Sequence, residues 1–330
     1  MKSNNKDDTG VVFRKSLGQY VVRMDGREID CVLSSLIRKQ LIYTTADPTS
    51  LRRKVQKVRE IEHIDPVAIG DHVRFNFVDG GRARGIITEI LPRLSKFSRP
   101  ATVPGKRIYE QVIASNVDLV IPVFAVAEPT PKWGLLDRYL VSAESSKLPV
   151  LIVITKLDLA WKNKKLENEL EIYRRAGYSI QIVSSHTDEG IDELKQTLEG
   201  KMSVLVGKSG VGKTSLLNAL QPGLGLRVKT VSRGDQGKGR HTTTRLEMFE
   251  LDFGGKLVDT PGIREFGLWE IEDRDLAYLF PEMADYVGQC KFGLSCRHDR
   301  EPECAIRKAV MEGKISPHRY KSYMNLRAEL

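Results

Sequence analysis

Cysteine is scarce in this chain, which has four in 330 residues. So few cysteines exclude a disulfide-stapled scaffold and leave reduced thiols available to bind a metal. Hydrophobic residues make up 41% and charged residues 29% of the chain, which excludes a collagen-like, rod-like or wholly disordered protein. The length predicts roughly two or three globular domains.

Long apolar runs are absent as well. The most apolar stretches, Val117–Ala127 and Leu148–Ile154, are shorter than the roughly 18 residues needed to cross a bilayer. The first residues, MKSNNKDDTG, lack the apolar core of a signal peptide. We therefore expect a cytoplasmic protein that has no membrane partner.

Acidic residues are too few to balance the basic ones, and the formal net charge is +9. Most of the excess lies in the first third of the chain, where Arg52, Arg53, Lys54, Lys57 and Arg59 are clustered. A solvated helix face or loop explains such a cluster, and so does a binding surface for a polyanion such as RNA. Composition alone leaves both interpretations open.

Short strands separated by turn signals are predicted in the first third of the chain. Residues 1–15 are polar and predict a flexible tail. The predicted strands are Gln19–Arg23, Glu28–Leu33, His72–Val78 and Arg82–Leu91. Asp25-Gly26 and Asp79-Gly80-Gly81 predict hairpin turns between such strands. This pattern predicts a small β-barrel, and the proline-containing segment Leu94–Lys106 predicts a linker after it.

From Val112 onwards, apolar strands alternate with amphipathic helices. The predicted strands are Val117–Ala127, Val150–Ile154, Ile180–Val183, Ser203–Val206 and Lys256–Val258. The predicted helices are Leu135–Ser145, Asn163–Arg175 and Ile191–Leu198. This alternation predicts an α/β domain with a parallel sheet and helices on both faces. After Phe266 the chain is predicted to be helical again.

A phosphate-binding loop is predicted between the strand that ends at Val206 and the next helix. Its residues, which match G-x-x-x-x-G-K-[ST], are Gly207, Lys208, Ser209, Gly210, Val211, Gly212, Lys213 and Thr214. The glycines let backbone N–H groups surround phosphate oxygens, and the helix N-terminus adds positive charge. We expect Lys213 to bridge the β- and γ-phosphates, Thr214 to bind Mg²⁺ and Ser215 to complete the nucleotide contacts.

Two further motifs predict that the base is guanine. The predicted base-contact residues are Thr155, Lys156, Leu157, Asp158, Ser184 and Ser185. The Asp158 carboxylate can accept both the ring N–H and the exocyclic amine of guanine, a donor pair that adenine lacks. The Lys156 stem can lie along the base, and the serine loop resembles one whose backbone contacts the guanine oxygen. The pattern therefore predicts a GTP-binding protein and disfavours an ATPase or kinase.

An Asp-x-x-Gly motif completes the predicted hydrolysis site. Asp259 follows an apolar strand and would hold Mg²⁺ through water, while the Gly262 N–H would contact the γ-phosphate. In ordinary small GTPases the phosphate loop comes first and the base motif later. Here the base motif precedes the phosphate loop, so the sequence predicts a circular permutation of the GTPase domain.

With these motifs in place, the chain resembles the circularly permuted, ribosome-small-subunit-dependent GTPase A (RsgA) family. The likeness includes the segments Leu94–Pro100, Ala114–Asp118, Gly239–Thr244, Arg264–Leu268 and Ile315–Tyr320. It implies an N-terminal oligonucleotide-binding (OB) barrel, a permuted GTPase domain and a C-terminal zinc domain. It also implies a role late in small-subunit maturation, with binding to rRNA and with hydrolysis of GTP to GDP stimulated by the subunit.

The segment Arg227–Arg245 is polar and lies where a nucleotide-dependent switch is expected. Thr243 or Thr244 should complete the Mg²⁺ shell, and the residues leave that choice open. Ile263 stands where many GTPases carry the glutamine that orients water. His241 is our candidate for this catalytic role, because a neutral imidazole can orient or polarise water. Packing or rRNA contact is the alternative for His241.

A metal site is predicted near the C-terminus. Cys290, Cys296, His298 and Cys304 place three thiolates and one imidazole within a short segment. Such a set suits one structural, tetrahedral Zn²⁺ per chain, because four protein ligands leave no position open for catalysis. Cys31 lies far away in sequence and is predicted to be a buried, apolar side chain.

The sequence thus predicts a tail at 1–15, an RNA-binding OB barrel at 16–105, a permuted GTPase domain at 106–268 and a helical zinc domain at 269–330. The predicted protein is a monomeric GTPase that uses Mg²⁺ and acts on the small ribosomal subunit. Two other functions remain open at this stage. One is an RNA-binding module in which hydrolysis is incidental, and the other is a P-loop ATPase or kinase unrelated to ribosomes.

Overall fold

The computed structural model describes residues 8–16, 18–35, 37, 66–78, 84–101, 109–159, 164–226, 246–260 and 267–330. Several predictions lie outside these residues. They are the basic cluster at 52–59, the turn at 79–81, the switch at 227–245 with His241, Thr243 and Thr244, and Gly262 with Ile263.

The N-terminal region is a closed five-stranded barrel. Its strands are β1 (Asp8–Ser16), β2 (Gln19–Met24), β3 (Arg27–Leu33), β4 (His72–Phe77) and β5 (Arg84–Ile90). The order β1-β2-β3-β5-β4 closes through pairing of β4 with β1, and only β3 and β5 run parallel. The predicted barrel of OB type is confirmed. The β2–β3 turn has positive φ at both Asp25 (49°) and Gly26 (74°), as a type I′ hairpin requires.

Strand β1 corrects the predicted flexible tail at residues 8–15, and residues 1–7 lie outside the described ranges. Val12 and Phe13 are both buried in the barrel. The register against β2 shifts between Val12 and Arg14. This bulge places two consecutive side chains inside, which breaks the alternation that identifies a strand.

A two-stranded hairpin corrects the predicted linker at Leu94–Lys106. Strands β6 (Lys96–Ala101) and β7 (Tyr109–Ser115) pair antiparallel, and Phe97 is fully buried. Pro100 lies in β6, whose only strand neighbour among the described residues is β7. A strand paired on one side tolerates proline because the missing N–H breaks no second ladder.

The central domain is a doubly wound sheet, as predicted. Its strands are β8 (Leu119–Ala125), β9 (Leu151–Thr155), β10 (Ser179–Ile182), β11 (Met202–Val206), β12 (Leu246–Glu250) and β13 (Lys256–Asp259). The order is β10-β9-β8-β11-β13-β12, and only β12 runs antiparallel to its neighbour β13. The central strands β8, β9 and β11 are nearly continuous apolar runs because both faces are covered.

Four helices cover the two faces of this sheet. They are α1 (Trp133–Ser145), α2 (Lys164–Arg175), α3 (Ile191–Leu198) and α4 (Lys213–Leu220). Helices α1 and α2 share a core with Phe124 and Ile154. Helices α3 and α4 share the opposite core with Ile121 and Val153.

The barrel and the central sheet are continuous. Strand β1 pairs antiparallel with β12, with Arg14 opposite Glu247 and Lys15 opposite Leu246. We call this junction the barrel seam. It joins the two regions into one eleven-stranded sheet, so the edge strand β12 is covered rather than exposed.

The C-terminal region packs on α1. Its helices are α5 (Pro281–Ala284), α6 (Ala305–Met311) and α7 (Pro317–Arg327). Its core includes Phe280, Met283, Ile306 and Tyr323, together with Val141 from α1. Within the described ranges, no helix combines the length and apolarity needed to span a membrane.

Candidate nucleotide and metal sites

The sheet brings the predicted nucleotide motifs to one edge. The base motif follows β9, the phosphate loop follows β11, and Asp259 ends β13. These strands run parallel, with β8 between β9 and β11. The carboxyl ends of such strands are where open α/β sheets bind ligands. Motifs separated by more than 100 residues therefore meet in one cleft.

The phosphate loop has backbone geometry that requires glycine. A Cβ at Gly207 would lie 2.5 Å from the Val123 carbonyl oxygen, so no larger residue fits against β8. Gly212 has φ 95° and precedes the first residue of α4. The loop therefore leads directly into a helix N-terminus, which presents backbone N–H groups to an anion.

Lys213 is held inside this loop. The side chain is buried, and its ammonium donates hydrogen bonds to the carbonyl oxygens of Gly207 (2.6 Å) and Lys208 (3.1 Å). Burial lowers the pKa of Lys213, while the charge of Asp259 opposes that shift. The ammonium is thus positioned where phosphate oxygens would enter the loop.

Asp259 has the character of a cation ligand. Its Oδ1 atom is buried and has no hydrogen-bond partner among the residues that the structure describes. Burial raises the pKa of the Asp259 carboxyl, against the lowering effect of Lys213. The Thr260 hydroxyl donates to the Leu205 carbonyl (2.6 Å) and so fastens the end of β13 to β11. Mg²⁺ prefers oxygen ligands, so this buried carboxylate oxygen fits the ion.

The base motif is tied to the phosphate loop through Thr155. Its buried hydroxyl hydrogen-bonds to the Val211 carbonyl in the loop and lies 3.2 Å from the Phe124 carbonyl of β8. Lys156 adopts a left-handed conformation, with φ 62°, and its ammonium donates to the Glu128 carbonyl. Thr155 therefore fixes the distance between the two halves of the site.

The Asp158 carboxylate is exposed and is oriented by Ser184. The Ser184 hydroxyl donates to Asp158 Oδ1 (2.7 Å) and accepts from the backbone N–H groups of His186 and Thr187, both at 3.2 Å. We predicted a backbone role for this serine, and its side-chain role was missed. Ser184 follows the next strand, β10, and its burial is seen only in the structure, so no sequence signal marks this side-chain role.

The remaining predicted contacts lie beside this pair. Leu157 is half-buried in a short 3₁₀ turn after β9. Ser185 and Ser215 line a cleft of about 550 Å³ between α3 and α4. The cleft adjoins both the base motif and the phosphate loop.

The C-terminal cluster has the geometry of a closed metal site. The ligand atoms of Cys290, Cys296, His298 and Cys304 lie within 4.8 Å of one another, and all four residues are buried. The His298 Nδ1 atom is 3.4 Å from Cys290 Sγ and 3.5 Å from Cys304 Sγ, and these two sulfurs are 3.9 Å apart. Tetrahedral Zn²⁺ with Zn–S bonds of about 2.3 Å places sulfurs about 3.8 Å apart, so the residues fit zinc.

The cluster is supported by its surroundings. The Ala305 N–H donates to Cys290 Sγ (3.3 Å), and the Tyr320 hydroxyl donates to the His298 carbonyl (2.6 Å). Burial lowers the pKa of His298, which favours the neutral imidazole that binds metals. Cys31, by contrast, is buried in the barrel as predicted.

Strand order and motif order together define a circularly permuted P-loop GTPase. The model of the RsgA GTPase family matches residues 90–269. The chain belongs to this family, and it is therefore a GTP-hydrolysing enzyme that uses GTP and Mg²⁺.

Relatives and solved structures agree with this assignment. The small ribosomal subunit biogenesis GTPase RsgA of Gemmatimonas aurantiaca is 44% identical over 264 residues, which cover 80% of this chain and 84% of the relative. Its counterpart in Ectopseudomonas mendocina is 41% identical over 270 residues, covering 81% and 76%. The crystal structure of YjeQ from Thermotoga maritima aligns with a TM-score of 0.70 at 32% identity, covering 98% of each chain. That of YloQ, a circularly permuted GTPase, aligns with a TM-score of 0.66 at 27% identity, covering 100% of this chain and 96% of YloQ.

Proposed function

We propose that this protein hydrolyses GTP as a switch in late maturation of the small ribosomal subunit, and that the subunit stimulates hydrolysis. The observation that carries the proposal is the convergence of the phosphate loop, Asp158 and Asp259 at one edge of the sheet. The names of the two relatives, both small-subunit biogenesis GTPases, support the ribosomal role. The proposed setting is the cytoplasm, and the proposed form is a monomer.

Guanine is recognised by the Asp158 carboxylate, which Ser184 holds in orientation. Two oxygens in a fixed plane match the ring N–H and exocyclic amine of guanine, whereas adenine offers no such pair. Lys156 and Leu157 flank the base, and Ser185 lies beside it. The loop from Gly207 to Thr214 binds the phosphates through its backbone N–H groups, with Lys213 between the β- and γ-phosphates.

Hydrolysis needs a cation and an ordered water. Mg²⁺ supplies positive charge that neutralises the phosphates during transfer. Thr214 and Asp259 would hold it, with Thr243 or Thr244 as a further ligand. The Gly262 N–H would bind the γ-phosphate. Because Ile263 cannot orient water, we propose His241 for that role.

The other two regions serve binding and stability. The barrel, with the cluster at Arg52–Arg59, is proposed to bind rRNA. The Cys₃His cluster is proposed to hold one structural Zn²⁺ per chain, since it is buried and leaves no open coordination position.

Base choice tests the nucleotide site directly. Asp158→Asn should weaken GTP binding by about 10- to 100-fold, because one acceptor of a charged hydrogen-bond pair becomes a donor. The same variant should gain affinity for xanthosine triphosphate. Asp252→Asn, in the exposed turn between β12 and β13, is the matched control and should change neither affinity. Normal GTP affinity in Asp158→Asn would refute the base assignment.

Turnover with purified small subunits tests the ribosomal role. Subunits should raise the GTPase rate, and subunit affinity should fall steeply with salt because Lys and Arg contacts release counterions from rRNA. His241→Ala should keep GTP affinity and lose about 10²-fold or more of the stimulated rate. A rate that subunits leave unchanged would contradict the proposal, whereas normal stimulation in His241→Ala would exclude only that residue.

A further inference from the structure

One row of residues runs from the barrel to the proposed Mg²⁺ ligand. Arg14 on β1 lies directly opposite Glu247 on β12, and Glu247 lies directly opposite Asp259 on β13. Residues that are directly opposite in neighbouring strands point to the same face of the sheet. A barrel side chain is therefore only two strands away from Asp259.

The charges in this row are arranged unusually. Glu247 and Asp259 are like charges at directly opposed positions, an arrangement that destabilises strand pairing. Arg14 lies on the other side of Glu247, with its Nε 3.6 Å from Glu247 Oε1. The arginine thus draws the Glu247 carboxylate towards the barrel and away from Asp259.

The barrel holds Arg14 in this position. Glu28 on β3 accepts hydrogen bonds from Arg14 and from Arg23, the latter at 2.7 Å. Arg23 also donates to Glu250 on β12 (2.7 Å) and lies 4.1 Å from the centre of the Phe13 ring. Both ends of strand β12 therefore form ion pairs with arginine side chains that the barrel orients.

We propose that Arg14 is a positioning residue for Asp259, so that the barrel sets the geometry of the Mg²⁺ ligand through Glu247. The inference rests on the proposed role of Asp259. Under this proposal the barrel shapes the nucleotide site, in addition to its proposed binding of rRNA. A partner that moves β1 changes the Mg²⁺ site, and Mg²⁺ with nucleotide stabilises the barrel seam in return, since binding couplings are reciprocal.

The first test measures Mg²⁺-dependent binding of a fluorescent, non-hydrolysable GTP analogue. Arg14→Met leaves Glu247 unpartnered opposite Asp259 and should raise the Mg²⁺ concentration for half-saturation about 2- to 5-fold. The double variant Arg14→Met/Glu247→Gln removes the repulsion and should restore the wild-type Mg²⁺ concentration for half-saturation. Arg74→Met, which removes a similarly exposed ion pair with Glu89 within the barrel, is the control.

The direction in which Arg14→Met changes Mg²⁺ affinity distinguishes a positioning role of Arg14 from a simple long-range effect of its charge. Loss of a positive charge would by itself tighten Mg²⁺ binding, so tighter or unchanged binding in Arg14→Met overturns the inference. An effect of equal size in Arg74→Met overturns it too. If the wild-type protein binds the analogue without any need for Mg²⁺, the proposed role of Asp259 as an Mg²⁺ ligand fails, and that result does not depend on Arg14.

The second test uses amide hydrogen exchange in the wild-type protein. Adding Mg²⁺ with the analogue should slow exchange in peptides that cover Asp8–Ser16 and Leu246–Glu250 by about threefold or more. Peptides from β5, which pairs with β3 and β4 and not with β1, should keep their rates. Equal slowing everywhere, or no slowing at β1, contradicts the coupling.

Discussion

The barrel meets the GTPase sheet through a backbone ladder between β1 and β12, whereas the C-terminal region meets helix α1 through a buried arginine. At the barrel seam the ion pairs are exposed, with Arg23 26% and Glu250 48% accessible. Exposed pairs contribute little to stability, so most of this attachment comes from the ladder and from the apolar core that the barrel shares with the sheet, which includes Val12 of the barrel and Val204 of the sheet. A ladder can bend and twist without leaving any group unpaired.

The C-terminal attachment has the opposite character. The Arg319 and Asp137 side chains are fully buried, and Arg319 donates to Asp137 (2.5 Å) and to Glu282 (2.6 Å). The Tyr173 hydroxyl also donates to Asp137 (2.9 Å). Separating these charges would leave them unpaired in an apolar interior, which is strongly unfavourable. The comparison teaches that the barrel is attached by a backbone ladder and apolar packing, whereas the C-terminal region is attached by paired buried charges.

Metal removal should have the largest effect, because structural Zn²⁺ contributes roughly 10 kcal/mol or more to small zinc domains. Purified protein should carry about one zinc per chain. Cys296→Ser should lose the metal and unfold the C-terminal region before the barrel. Mass spectrometry measures the zinc content, and peptide-resolved hydrogen exchange measures which region unfolds first.

Cys31→Ser provides the matched control for this prediction. It changes a cysteine that is equally buried but lies in the barrel, so zinc content should stay at the wild-type value. A zinc-free protein whose C-terminal peptides exchange normally would rule out the site.

Loss of the buried Arg319 side chain should have the second-largest effect. Arg319→Met should lower the free energy of unfolding by about 3–5 kcal/mol, because Asp137 and Glu282 become uncompensated buried charges. Arg138→Met removes an exposed ion pair with Glu329 at the same junction and should cost at most about 1 kcal/mol. Chemical denaturation measures both values. Equal costs would mean that the buried ion pairs of Arg319 stabilise the protein no more than an exposed pair does, and the contrast with the exposed pairs of the barrel seam would fail.

The seam ion pair should have the smallest effect. A double-mutant cycle with Arg23→Ala and Glu250→Ala should give a coupling energy of about 0.2–1 kcal/mol. The coupling should shrink at high salt, since exposed charges are screened. A salt-independent coupling of several kcal/mol would show that the seam is held by charges rather than by its ladder.

Sequence patterns predicted the nucleotide motifs and the metal cluster because their chemistry demands particular residues at fixed spacings. The missed strands β1, β6 and β7 pair with register shifts, between Val12 and Arg14 in β1 and between Phe97 and Ser98 in the β6–β7 pair. Such bulges remove the period of two on which strand prediction depends.

Two side-chain roles were also beyond prediction from the sequence. Ser184 binds Asp158, 26 residues away, and Arg319 binds Asp137, 182 residues away. No local pattern links either pair, because tertiary packing alone brings them together. Roles of this kind depend on which strands and helices become neighbours.

The burial of Asp137 has a consequence for where this chain can be cut. The sequence suggests a boundary near residue 268, as if the preceding part were independent. A protein truncated there would keep the Asp137 carboxylate without Arg319, and it would expose the apolar patch around Val141 to water. Such a fragment would be prone to aggregate, and the natural protein should melt from α1 to its last helix in a single cooperative transition. The unit that folds is therefore larger than the unit that carries the GTPase motifs.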